Sequence, residues 1–208
     1  QIYIMDIESR SIKVVSTGNG VTTCSFFKYP NDNGIIYSST HMDDPDCPPK
    51  PDFSKGYIWK LYPGFDIYEA GLSGLSPRPL TSSPGYDAEA TYSFDGKKII
   101  YTSLISGDLD LWYMNPDGSG KQQLTNRLGY DGGAFYSYDA KKIVWRAYYP
   151  ETEEEIINYK SLLKENSIRP MALQIWTMNA NGTNKKQITD NNSANFGPIY
   201  FPKADKII

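Results

Sequence analysis

Three carboxylates stand where their spacing could do chemistry. Asp87 and Asp131 hold the same place in two closely similar stretches, and Glu89 follows Asp87 by two residues. Converging on one channel, Asp87, Glu89 and Asp131 would offer a hard cation the oxygen ligands it prefers, with Ca2+ the natural choice. A pair of them about 5–10 Å apart in an open pocket could instead hydrolyse a glycosidic bond. The third reading is structural: each Asp caps its own turn by accepting from nearby backbone N–H groups. Repetition favours that role, and the last copy places Asn195 there, which keeps the cap and removes the charge.

A second group of candidates would recognise rather than react. His41, the single histidine, lies beside Asp43, Asp44 and Asp46 in a Pro-rich stretch. These are possible metal ligands without a standard spacing, or a stiff solvated loop. Tyr57, Trp59 and Tyr62 put three aromatics in six residues, either a platform for a partner or a cover over the fold. We take His41, Asp43, Asp44, Tyr57, Trp59 and Tyr62 as the candidate partner-binding residues. Catalytic motifs are scarce. A serine triad would have to use His41, and the sequence has no Gly-x-Ser-x-Gly elbow, phosphate-binding glycine loop or paired-histidine motif.

What must position these residues is a repeat. Residues 85–100 return at 129–144, an offset of 44, and each copy leads to a second signature. Leu111-Trp112-Tyr113-Met114-Asn115-Pro116-Asp117-Gly118 recurs as Ile175-Trp176-Thr177-Met178-Asn179-Ala180-Asn181-Gly182, at an offset of 64 that implies a 20-residue insertion. The β-branched and aromatic runs predict strands at Ala88–Tyr92, Lys98–Ser103, Asp110–Met114 and Lys121–Thr125, with Asp117-Gly118 a hairpin turn. Four short strands in about 44 residues make a propeller blade. The expectation is an all-β propeller of four-stranded antiparallel blades in one domain, residues 1–208, divided at about 1–17, 18–83, 84–128, 129–192 and 193–208. The outer two are half-units, so the chain reads as part of a longer one, or as halves that pair to close a ring.

These turn and hairpin signatures, Phe94-Asp95-Gly96-Lys97-Lys98-Ile99 and Trp176-Thr177-Met178-Asn179-Ala180-Asn181-Gly182-Thr183 closed by Ile188-Thr189, resemble the TolB-like propeller repeat. The resemblance covers nearly all of the chain outside two insertions. It implies a six-bladed ring of which about four blades are covered, export to the periplasm or cell surface, and binding of a protein or peptide. Related propellers sit beside peptidase domains, which makes a substrate-gating propeller the alternative. The resemblance carries no catalytic residue onto this chain.

Both insertions, about Thr40–Phe65 and Tyr148–Ala172, fall between second and third strands. In a blade that loop emerges on the same face as the loop leading into the innermost strand, so all the non-repeating sequence gathers at one mouth of the channel. Long loops on a rigid scaffold are where binding resides. In the second insertion, Ile156, Tyr159, Leu162 and Leu163 have helical spacing behind a run of glutamates, which predicts a short lid helix over about 151–165. A net charge of −3 argues against nucleic acid. No apolar run is long enough to span a membrane. Cys24 and Cys47 could form a disulfide or remain two thiols.

Overall fold

The computed structural model describes residues 1–49, 52, 54, 56–74, 76–203 and 205–208. Its elements in chain order are β1 (Tyr3–Met5), β2 (Ile12–Val14), β3 (Thr22–Phe27), β4 (Gly34–Ser39), β5 (Trp59–Lys60), β6 (Asp66–Gly71), β7 (Arg78–Pro79), β8 (Asp87–Tyr92), β9 (Ile99–Ser103), β10 (Asp110–Met114) and β11 (Gln122–Gln123). There follow β12 (Tyr130–Tyr136), β13 (Lys142–Tyr148), α1 (Glu153–Lys164), β14 (Ser167–Ile168), β15 (Gln174–Asn179) and β16 (Lys186–Gln187). Three four-stranded antiparallel sheets, β3-β4-β6-β7, β8-β9-β10-β11 and β12-β13-β15-β16, are the expected blades. The β1-β2 pair stands before them, and an isolated Tyr200–Ile207 bridge after them. Among the described residues the two half-units do not pair with each other; each packs on its neighbouring blade.

The repeat signatures prove to be turn and clamp chemistry. In the turn after β8, the Ser93 hydroxyl donates to Asp95 (2.7 Å), while the Lys97 and Lys98 N–H groups donate to Asp95 and Ser93. Ser137, Asp139, Lys141 and Lys142 repeat the arrangement after β12. The pivot requires a left-handed backbone, met by Gly96 (φ 69°) in one copy and by Ala140 (φ 56°) in the other. At the outer edge, the Leu-Thr and Ile-Thr pairs close the blade. Thr81, Thr125 and Thr189 accept from the N–H of Ile67, Leu111 and Ile175 at 2.8–2.9 Å. Their hydroxyls sit 2.8–3.2 Å from Asp66, Asp110 and Gln174, which open the third strands.

Blades stack on both faces, so second strands lack the apolar–polar alternation of a one-sided sheet; β4 and β9 are buried throughout. Successive side chains serve opposite junctions. Ile99 and Tyr101 pack towards Ile36, Ile67 and Leu80 of the preceding blade, whereas Ile100 packs towards Trp145 and Ile143 of the next. Each innermost strand breaks register once, and at each break one residue adopts a left-handed conformation: Cys24 (φ 52°), Glu89 (φ 59°) and Gly133 (φ 58°). Such bulges re-aim a side chain, and here they turn the bulge residue towards the channel mouth.

The insertions occupy the predicted places and meet. β5 of the first pairs antiparallel with β14 of the second, Trp59 opposite Ile168 and Lys60 opposite Ser167. The lid helix forms as α1. Thr152 and Glu155 make a reciprocal capping box, glutamates fill the first turn, and Tyr159 and Leu162 are buried. The Tyr159 hydroxyl lies within hydrogen-bonding distance of both Asp108 and the Gly129 carbonyl, which pins the helix to the loop leading into β12.

Candidate functional site

Beneath the β5–β14 pair lies a recess of about 480 Å³. Its walls are mostly aromatic and apolar: Tyr57, Trp59 and Tyr62 from the first insertion, Tyr86 and Tyr130 from the leading loops, and Ile168 from the second insertion. Tyr57 is exposed and donates no cover; its hydroxyl accepts from the Trp59 indole N–H at 3.0 Å. Trp59 and Tyr62 are half-buried. Three of the six residues expected to meet a partner therefore share one cavity, on the face where both insertions were expected.

The polar floor of the recess is an ion pair between neighbouring blades. The Arg146 guanidinium Nη2 donates to Glu89 Oε1 and, at 2.8 Å, to the Tyr130 hydroxyl. Glu89 Oε2 accepts from Tyr130 (2.9 Å), the Gly133 N–H (2.9 Å) and the Thr102 hydroxyl (3.1 Å). Both side chains are nearly buried, 12 and 11 % exposed. Burial works against the Arg146 charge, but Glu89 beside it more than offsets this and raises its pKa. Trp59, Tyr130 and Phe196 surround the guanidinium with centroids 5.5–5.8 Å away, a cation–π cage. The neighbouring Cys24 thiol is pushed up to about 11, chiefly by desolvation and then by Glu89. Cys24 and Cys47 are both free, so the disulfide left open by the sequence does not form.

Of the three candidate cation ligands, only Glu89 reaches the recess. Asp87 and Asp131 are sealed at the blade junctions, where their N–H groups bond Phe65 and Leu109 of the preceding blade at 2.9 Å. Asp131 Oδ1 accepts from the Trp145 indole and the Tyr149 hydroxyl, each at 2.6 Å, while Oδ2 has no partner. Burial lifts Asp131 to about 7 and Asp87 to about 6, against opposing hydrogen bonds. The physical reason for the separation is the pleat: residues 87 and 131, first and second in their strands, face a junction, and the bulge then swings the residue two places on towards the channel. With both Glu89 oxygens engaged and the aspartates sealed away, the arrangement does not fit Ca2+, and no cluster of three ligand residues exists among the described residues. His41 also lies apart. Its ring packs on Tyr68 at 4.3 Å and bonds the Ser39 hydroxyl, and Asp43 and Asp44 are exposed on the turn that follows Thr40.

Arg146 escaped the sequence reading, yet a signal existed. Position 146 matches Thr102 in the preceding copy, and Gly132-Gly133 matches Ala88-Glu89. These are complementary departures. A Cβ on Gly133 would strike the Arg146 guanidinium, and one on Gly132 would strike Glu89 and Tyr130. The glycines make room for the pair that the other positions supply.

Neither a protein-family model nor a curated protein sequence matches the chain. Solved structures do match its shape. A TolB from Acinetobacter baumannii superposes with a TM-score of 0.67 over 99 % of this chain at 17 % identity. A nidogen/laminin complex gives 0.61 over 97 % at 13 % identity, and an oligogalacturonate lyase in complex with manganese gives 0.58 over 98 % at 12 % identity. The chain spans 41, 60 and 48 % of those chains respectively, so it corresponds to part of each. Repeat, blade topology and these likenesses agree: the chain has a TolB-like β-propeller fold.

Proposed function

We propose that this propeller segment is a non-catalytic binding module that receives a protein or peptide at the recess between its two insertions. The observation that carries the reading is the convergence of Tyr57, Trp59 and Tyr62 with the leading-loop tyrosines around one open cavity. Aromatic side chains on a rigid frame are the usual anchors of recognition. Against catalysis stands the chemistry of the floor. Its one carboxylate, Glu89, is tied to Arg146, Tyr130, Thr102 and Gly133, whereas glycoside hydrolysis needs two carboxyl groups facing one bond. The resemblance that suggests the function also suggests the compartment, the periplasm or cell surface. No helix among the described residues is long and apolar enough to cross a membrane.

The test is selection of peptides from a random displayed library on the intact chain, followed by titration against Trp59→Ala and Tyr62→Ala. Selected peptides should lose about tenfold or more in affinity, the cost of one truncated anchor. Peptides that bind both variants as well as the parent would place recognition elsewhere.

A further inference from the structure

On the face opposite the insertions, three rings form a ladder across three blades. Phe27 pairs with Ile35 as Tyr92 pairs with Ile99 and Tyr136 with Ile143, so Tyr29, Phe94 and Tyr138 hold the same place in successive turns. Tyr29 meets Phe94 edge to face at 4.9 Å, and Phe94 stacks on Tyr138 at 4.3 Å. The turn chemistry of Ser93, Asp95 and Gly96 does not call for these rings, and Tyr138 is 54 % exposed. Around the ladder, the four turns of the second and third blades (residues 93–98, 115–121, 137–142 and 179–185) carry six lysines against three aspartates, in a chain whose net charge is −3. Lys97 and Lys141, 79 and 80 % exposed, each lean towards the aspartate of their own turn, at 3.5 and 3.8 Å. Lys98 is held by the Asn115 side chain, and Lys121 and Lys185 by carbonyls of their own hairpins, none of which neutralises a charge.

We propose that this rim is a docking surface for an anionic lipid bilayer, with the Tyr29–Phe94–Tyr138 ladder dipping into the headgroup layer and the surrounding lysines meeting lipid phosphates. Charge complementarity selects an anionic partner, and ring geometry selects which one. Phe94 is enclosed between its two neighbours, so the ladder turns mostly ring edges outward. A sugar or nucleobase strand would need a free ring face at each step. Tyrosine at both ends of the ladder suits a membrane–water interface instead, where the ring sits at headgroup level and the hydroxyl stays wet. Each lysine brought near an anionic surface favours binding about fivefold, so an excess of three gives on the order of a hundredfold. Such a surface lies on a membrane and does not span it. Docked this way, the propeller holds the recess, on its opposite face, out in solution.

The test is flotation of the intact chain with vesicles of phosphatidylcholine alone, or of phosphatidylcholine with one-third phosphatidylglycerol. Partitioning into the anionic vesicles should be on the order of a hundredfold stronger. Raising NaCl from ~0.1 to ~1 M, which shortens the screening length from ~10 to ~3 Å, should remove most of that difference. Reversing both Lys97→Glu and Lys141→Glu should cost about tenfold or more, whereas Lys160→Glu with Lys164→Glu, on α1 at the opposite face, should leave binding unchanged. Tyr138→Ser, at an exposed position, should weaken it severalfold, about the loss of one interfacial ring. The lipid comparison needs no variant, so a misfolded one cannot obscure it. Equal partitioning into the two vesicle types, or none, overturns the proposal and leaves peptide binding at the recess untouched. It is equally overturned if the α1 reversal, not the rim reversal, weakens binding, since the lipid then lies on the other face. If Tyr138→Ser binds as the parent does, the rim reads charge alone and the bilayer gives way to a soluble polyanion.

Discussion

Glu89 and Arg146 belong to different blades, and each stands where the corresponding position of the other blade carries an uncharged residue: Gly133 for Glu89, Thr102 for Arg146. The ion pair therefore belongs to a junction, not to a blade. Removing one partner of a nearly buried pair leaves the other charge uncompensated. Glu89→Gln should lower stability by about 2–3 kcal/mol, somewhat less than for a fully buried pair because a little solvent reaches the site. Urea unfolding measures this directly, and a loss under about 0.5 kcal/mol would mean that solvent replaces the carboxylate freely.

Gly133 tests the same junction from its other side. Its φ of 58° suits glycine, and a methyl group there would strike the guanidinium. Gly133→Ala should cost about 1–3 kcal/mol from strain and overpacking combined. It should also displace Arg146, so Trp59 fluorescence should change along with the denaturation midpoint.

The turn copies give a prediction of opposite sign. Ala140 holds the left-handed position that Gly96 holds one blade earlier. Ala140→Gly relieves the Cβ strain and gives back part of the gain in unfolded-chain entropy, for a net stabilisation of a few tenths to about 1 kcal/mol. Gly96→Ala should lose more, since a Cβ there also meets the Tyr29 carbonyl. Thermal melts of the two variants should move in opposite directions.

Stability should depend on pH through Asp131 and Asp87. Their folded pKa values, about 7 and about 6, lie above the ~3.9 of an unfolded aspartate. Between those values the native state holds protons that the unfolded chain has released, so stability falls as pH rises from about 4 to 7. Asp131→Asn removes the larger contribution and should flatten that slope by about 2 kcal/mol across the window. Melts at pH 4.5, 6 and 7.5 decide it. A parent chain that grows more stable over this range would reverse the sign and rule out sealed, protonated junctions.

How much of this was legible in the sequence depended on whether local or long-range physics set the feature. Strand limits in the second unit were readable within a residue or two, because turn chemistry at Ser93-Asp95 and Asp117-Gly118 is local. The lid helix was readable from its glutamates and its Tyr159–Leu162 spacing. The direction of Asp87 was not, since alternation counts from a strand start, and the bulge at Glu89 moves the channel-facing position by hydrogen bonds to another strand. Tyr57, Trp59 and Tyr62 were identifiable as a cluster, but their company with Arg146 came from a fold-level contact. Its one trace was a double departure from the repeat.

The Trp59–Ile168 pairing has a kinetic consequence. The two residues are roughly 110 positions apart, and tethering the ends of so long a loop in an unfolded chain costs on the order of 4 kcal/mol for two short strands to recover. They cannot recover it alone. The clasp should close only after the intervening blades have stacked and delivered its halves to each other, so the roof of the recess should assemble late and open before the blades do. Backbone amides at Leu61 and Ile168 should exchange with solvent well ahead of those in β9, giving the recess a way to open while the blades beneath it stay intact.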